Sequence, residues 1–318
     1  MYIVQAFNSL HDWWRYLIGL FVTIFGVIVF SIPHFAAIFI KRLEAKVDLN
    51  RLDDVNYLMS LFDSNINLVF VLLPFAGGLI FLFIIVKILH KQSITSLTTA
   101  RKKIDWKRIL FAFFFWGIVS SGMIFLDYYL SPESYLYNFE LNRFLVLVLI
   151  AVVLLPFQTS FEEYLFRGYL MQGIGVIVKN KWVPLITTSV IFGLLHIANP
   201  EVEKLGYTIM VYYIGTGLFL GIITLMDDGM ELALGFHAAN NLFTALLVTA
   251  NWTALQTHSV FKDIAEPDLG FIDIILPVFI IFPILLFIFS RVYKWTNWKE
   301  KLLGNVIEPP KENYKVLD

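Results

Sequence analysis

LVLVLIAVVLLPFQTSFEEYLFRGYLMQGIGVIV, residues 145–178, is apolar for most of its length yet carries Glu162, Glu163 and Arg167 near its middle. A run this long and this apolar belongs to a helix that crosses a lipid bilayer, since a span needs about 20 such residues. Charged side chains at that depth cost roughly 2.5–3.5 kcal/mol each on insertion scales, so they face the interior of a helical bundle and mark a site. The stretch therefore predicts both a membrane fold and the place where its chemistry lies.

The remainder of the chain agrees with the first inference. Of 318 residues, 58% are hydrophobic and 15% charged, where a soluble domain carries about 25% charged residues. Apolar runs fall at about 16–40, 66–89, 109–130, 143–178, 182–199, 207–226, 231–250 and 271–293. Strand-like alternation is absent, so the expected fold is all-α: a polytopic bundle of eight spans. The polar interruptions at 41–65 and 90–108 are too short for a soluble domain. Three regions are expected: spans one to three within 1–142, a core of four spans within 143–250, and a last span with a polar tail ending in PPKENYKVLD within 251–318.

Charge sets the orientation. The segment 87–108 holds Lys87, Lys91, Arg101, Lys102, Lys103, Lys107 and Arg108, and the tail holds Arg291, Lys294, Lys299 and Lys301. Six spans separate them, so both can face the cytoplasm, together with the Lys179–Lys181 loop and both termini. Asp127, Glu133 and Glu140 then fall outside. Lys41, Arg42, Lys46 and Arg51 oppose this pattern, diluted by Glu44, Asp48, Asp53 and Asp54. No cleavable signal peptide is expected, because the first apolar run is too long for one. The protein reads as an integral multi-pass component of a bacterial plasma membrane.

Composition also excludes functions. A net charge of −1 offers no basic face for nucleic acid. With no cysteine, disulfides, thiol catalysis and cysteine-ligated metals are excluded. Ser160 and Ser189 lack the surroundings of a serine nucleophile. In the loop MDDGMELALG, residues 226–235, Asp227, Asp228 and Glu231 read as solvated interfacial acids around Gly229. The segment SLTTARKKIDWKRIL reads as a basic interfacial loop with Trp106 at headgroup level.

Within the core, Glu163 and Arg167 are four residues apart and share a helical face, which predicts an ion pair. Glu162 is turned from Glu163 by about 100° and is left free to act. Further polar groups occur in FGLLHIAN, with Phe192 and His196 four apart, and in FHAANNLF, with His237, Asn240 and Asn241. At about 1.5 Å of rise per residue, Glu162, His196 and His237 lie about 25, 21 and 12 Å from the cytoplasmic helix ends, so tilt or overhang must bring them level. A lone intramembrane histidine or asparagine is as often helix-to-helix glue as a functional group; four such groups on neighbouring helices favour a site.

The motifs Glu-Glu-x-x-x-Arg (Glu162, Glu163, Arg167), Phe-x-x-x-His (Phe192, His196) and His-x-x-x-Asn (His237, Asn241) resemble those of the CPBP family of intramembrane proteases, also called the ABI or type II CAAX prenyl endopeptidase family. The match covers about residues 140–250 and keeps the family order. The resemblance implies an α-helical membrane endopeptidase acting on a membrane-associated protein or lipidated peptide. It extends to non-catalytic relatives linked to bacteriocin immunity. The residues themselves suit hydrolysis by an activated water: Glu162 as base, His196 holding the water, His237 and Asn241 donating to the oxyanion, and Glu163 with Arg167 supporting the site. No cofactor is the favoured expectation. Zinc held by Glu162, His196 and His237 is the alternative, and a proton-coupled transporter is a weaker one, since no internal repeat supports it.

Overall fold

The computed structural model describes residues 1–44, 47–51, 54–266, 275–310 and 312. Lys46, Asp53, the start of the eighth expected span at 271–274 and the last residues of the polar tail lie outside them. Among the described residues, nine helices carry the bundle: α1 (Trp13–Leu43), α2 (Ser64–Ile88), α3 (Trp106–Leu130), α4 (Leu141–Glu163), α5 (Met171–Val178), α6 (Trp182–Leu194), α7 (Met210–Met226), α8 (Glu231–Leu247) and α9 (Phe282–Val292). A π-helical turn, Tyr164–Leu170, joins α4 to α5, and another, Leu276–Ile281, leads into α9.

This is an all-α membrane bundle. Among the described residues, five helical stretches are long and apolar enough to cross a bilayer: Trp13–Leu43, Ser64–Ile88, Trp106–Leu130, Leu141–Val178 and Tyr207–Met226. Trp182–Leu194 and Leu276–Val292 are apolar but shorter. Phe21, Ile118 and Leu149 are 70%, 72% and 68% exposed, which only a lipid surround makes tolerable for side chains of this size. The expected span over 182–199 is helical only to Leu194, and residues 195–199 turn. At 1.5 Å per residue α6 is roughly 20 Å long, less than the ~30 Å hydrocarbon core. The expected span over 231–250 likewise stops at Leu247, where the chain becomes a strand.

The helices pair closely: α1 on α2, α2 on α4, α3 on α8, α4 on α8 and α6 on α7. Glycine permits the tightest approaches, because association within lipid relies on packing rather than on the hydrophobic effect. A Cβ at Gly235 of α8 would stand 2.1 Å from the Ile109 carbonyl oxygen of α3, and one at Gly77 of α2 would stand 2.6 Å from the Gly26 carbonyl oxygen of α1.

Loops gather at two ends. At one end the N-terminal turn Ile3–Asn8, the segment 89–105, Lys179–Lys181, the 227–230 loop and the segment after α9 meet. Arg101 reaches Asp227 at 2.9 Å and Glu231 at 3.1 Å, Lys301 pairs with Asp228, and Lys181 lies 3.0 Å from Glu300. At the other end three short strands, β1 (Tyr135–Tyr137), β2 (Val248–Ala250) and β3 (Phe261–Asp263), form a sheet in the order β1-β3-β2. β1 runs antiparallel and β2 parallel to β3. The Asp63–His258 contact at 3.0 Å and the Asn65 amide donating to the Arg143 carbonyl at 3.0 Å tie this end together.

The basic segments thus share one end, as their charge pattern implied. The acids of the 227–231 loop do not behave as solvated groups. Asp227 is 4% exposed and Glu231 fully buried, because the basic segment folds back over them and supplies Arg101 and Arg108 as partners.

Gly235→Ala forces backbone apart where α3 meets α8 and is expected to cost about 1–3 kcal/mol, the usual range for overpacking. Gly122→Ala, where an added Cβ meets nothing within 4 Å, should leave stability unchanged or slightly raised. Thermal unfolding in detergent checks this; equal effects would contradict the packing described.

Candidate active site

The site begins with local sequence on α4. Pro156 cannot donate to the helical ladder and leaves a gap in it shortly before Gln158 and Thr159. The π-helical turn begins immediately after Glu163. Such one-residue widenings redirect side chains and are frequent at functional positions. The rod Leu141–Val178 contains 38 residues, roughly 57 Å at 1.5 Å each, and so overhangs a ~30 Å core. With that overhang Glu162 stands level with His237, 3.5 Å away, although the two lie at different distances from their helix ends.

Glu163 and Arg167 pair as their spacing predicted: Arg167 Nη1 donates to Glu163 Oε1 at 2.9 Å, and both are fully buried. Arg167 Nη2 donates to the Gly217 carbonyl of α7 at 3.1 Å. The guanidinium lies 4.3 Å from the centre of the Phe192 ring, so this aromatic covers the buried cation.

Glu163 has a second partner. His237 Nδ1 donates to Glu163 Oε1 at 2.7 Å, while His237 Nε2 lies 3.5 Å from Glu162 Oε2. The carboxylate bound to Arg167 can only accept, so the Nδ1 atom carries the proton and Nε2 turns towards Glu162. The two glutamates, turned apart on the helix, therefore meet again at one side chain. Both address one imidazole.

Glu162 is itself positioned. Gln158 Nε2 donates to Glu162 Oε1 at 2.6 Å, Asn241 Nδ2 donates to Gln158 Oε1 at 2.9 Å, and Asn240 Nδ2 donates to Asn241 Oδ1 at 3.2 Å. Trp116 Nε1 of α3 ends the chain on Asn240 Oδ1 at 3.1 Å. Asn241 thus already spends one of its two amide hydrogens on Gln158 and keeps one. Gln158 escaped the sequence reading although it stands one turn before Glu162 on the same face. Trp116 carried no sequence signal, since only packing of α3 against α8 brings it to Asn240.

His196 sits beyond the end of α6, on the turn. Its Nδ1 donates to the Phe192 carbonyl at 2.8 Å, and its ring stacks on Tyr213 with centroids 4.4 Å apart. Among the described residues it makes no hydrogen bond to Glu162 or His237. It nonetheless shares with Glu162, Gln158, Asn240 and Asn241 the wall of one cavity of about 580 Å³, a size suited to a small ligand or a short peptide segment. Glu201, also missed in the sequence, lines this cavity. Its carboxyl is pushed above the usual carboxylate range by burial, against the pull of the Ala254 N–H.

Among the described residues no group of three His, Asp or Glu side chains is arranged to hold a metal ion, and His196 stands apart from the Glu162–His237 pair.

A buried acid–imidazole–acid cluster on a helical membrane bundle defines a class of protein: an integral membrane protein with a polar, titratable site in its core. The segment 140–243 matches the family model of type II CAAX prenyl endopeptidase Rce1-like proteins. It contains α4, the π-helical turn and all of Glu162, Glu163, Arg167, Phe192, His196, His237 and Asn241. The chain is similar to the uncharacterized protein YyaK of Bacillus subtilis (strain 168), 29% identical over 248 residues that cover 77% of this chain and 80% of YyaK. No solved structure matches it.

Glu163→Ala leaves Arg167 buried without its carboxylate and His237 without its anchor, and breaking a buried pair costs about 3–5 kcal/mol. Yield and thermal stability in detergent should fall for Glu163→Ala and Arg167→Ala, and much less for Glu162→Ala, whose partners are a neutral amide and a longer contact. Equal loss in all three would contradict this division.

Proposed function

We propose that the protein is an intramembrane endopeptidase of the glutamate type, hydrolysing a peptide bond of a membrane-associated protein or lipidated, CAAX-type peptide. The observation that carries this is the Glu162 Oε2–His237 Nε2 pair at 3.5 Å. One water can lie against both atoms at ordinary hydrogen-bond lengths of about 2.8 Å.

Each residue then has a part. Glu162 takes the proton of the attacking water, its carboxyl held in place by Gln158 so that Oε2 faces the bond to be cleaved. His237, fixed through Nδ1 by Glu163, receives that proton at Nε2 and returns it to the leaving amine. Its ring lies between the carboxylates of Glu162 and Glu163. The remaining amide hydrogens of Asn240 and Asn241 face the cavity and suit the oxyanion. His196, with its proton on Nδ1, offers Nε2 to the same cavity and orients the peptide.

The site's support comes from Arg167, held by Glu163, Gly217 and Phe192. The chemistry needs no resident metal. We place the protein in a bacterial plasma membrane with both termini cytoplasmic, supported by the gathering of basic segments at one end. A non-catalytic relative with a role in bacteriocin immunity would keep the fold and dispense with Glu162.

Glu162→Gln retains the shape and the Gln158 contact but removes the base, so proteolysis should fall about 10²-fold to 10⁴-fold while yield and melting temperature hold. Chelator treatment of the parent protein should leave the rate unchanged. Steady-state cleavage of a membrane-protein or prenylated-peptide substrate in proteoliposomes checks both. An unaffected Glu162→Gln variant would refute the assignment, and loss of activity with one zinc per chain would replace it with a metal mechanism.

A further inference from the structure

The cavity holding Glu162 is lopsided along the bundle. From the middle of α4 and α8 it runs away from the basic end, and its far wall is made by the loops around Asn199 and Glu201 and around Trp252 and Thr253. Towards the basic end it is shut. Leu97, Thr98 and Met230 are completely buried there, and the Tyr2 hydroxyl stands 2.6 Å from the Leu97 carbonyl and 3.0 Å from that of Arg167. Beyond them Arg101 and Arg108 close on Asp227 and Glu231.

The open end carries the second observation. Glu201 Oε1 accepts from the Ala254 N–H at 2.7 Å and links the two loops. Glu201 Oε2 and Trp252 Nε1 are both buried there with no hydrogen-bond partner among the described residues. Buried polar atoms left unpaired are costly, and each calls for a partner beyond the described residues, whether water, an ion or a ligand. One acceptor and one donor at the mouth of a single cavity match what a peptide chain offers: an N–H for Glu201 and a carbonyl for Trp252.

We infer that the site is fed from the end opposite the basic loops, and that its substrate is a membrane-attached polypeptide presented at the extracytoplasmic leaflet, seated between the 195–206 and 248–255 loops. This rests on the peptidase reading and deepens it by naming the face and the substrate class. A prenylated tail arriving from the cytosol would meet the closed, ion-paired end instead. The side of entry follows from the bias in basic residues: the closed end holds Arg101, Lys102, Lys103, Lys107 and Arg108 within a single segment, the signature of the cytoplasmic face.

The chain contains no cysteine, so single reporters can be placed without background. Asn199→Cys and Thr253→Cys stand on the cavity wall, Asn251→Cys on the exposed loop beside it and Lys103→Cys on the basic segment. Intact cells expressing each full-length variant are treated with a membrane-impermeant maleimide, before and after permeabilisation. The inference predicts labelling of the first three in intact cells and of Lys103→Cys only after permeabilisation. The reverse order would overturn it. So would cavity positions that refuse the reagent under both conditions while Asn251→Cys reacts, because no mouth would then open at this end. Labelling needs no cleavage, so an inactive protein that labels as expected would count against the peptidase reading and not against the side of entry.

Discussion

Everything in the core turns on the buried line Arg167–Glu163–His237. A guanidinium and a carboxylate removed from water are stable only when each satisfies the other and finds further partners. Here Arg167 adds the Gly217 carbonyl and the face of Phe192, and Glu163 adds His237 Nδ1. The last contact ties the ion pair to an imidazole on another helix. It fixes which imidazole nitrogen carries the proton and which nitrogen meets Glu162.

Packing far from the pair holds it in place. Glu163 lies on α4, His237 on α8 and Gly217 on α7, so the line crosses three helices. The approach of α3 to α8 at Gly235 sets the position of His237 two residues on, and delivers Trp116 to the Asn240–Asn241–Gln158 chain that holds Glu162. At the basic end, Glu231 opens α8 under Arg101 and so pins the register of the helix that carries His237. The acids that read as solvated in the sequence are thus part of the scaffold.

Much of this was legible in the residues. Length and hydropathy announced a helical membrane bundle, and spacing announced the Glu163–Arg167 pair. The common end of the basic segments followed from charge alone. What the sequence hid was tertiary. Nothing in a 3.6-residue period says that a histidine 74 positions away will bind the same carboxylate as the arginine one turn away. The π-helical turn after Glu163 and the early end of α6 before His196 break the uniform rise on which depth estimates rest. The bond from Asn241 to Gln158 was hidden because the two lie on different helices. Asp227 and Glu231 looked exposed because the loop that covers them is distant in the chain.

The central claim is that Glu162 and His237 act as one unit on one water. A double-substitution cycle on the rate of peptide cleavage tests it most directly, using Glu162→Ala, His237→Ala and the two combined. Groups acting as a unit lose their contribution once, so the double variant should be no slower than the slower single variant. Losses that multiply would mean that the two residues act independently, and would contradict the account.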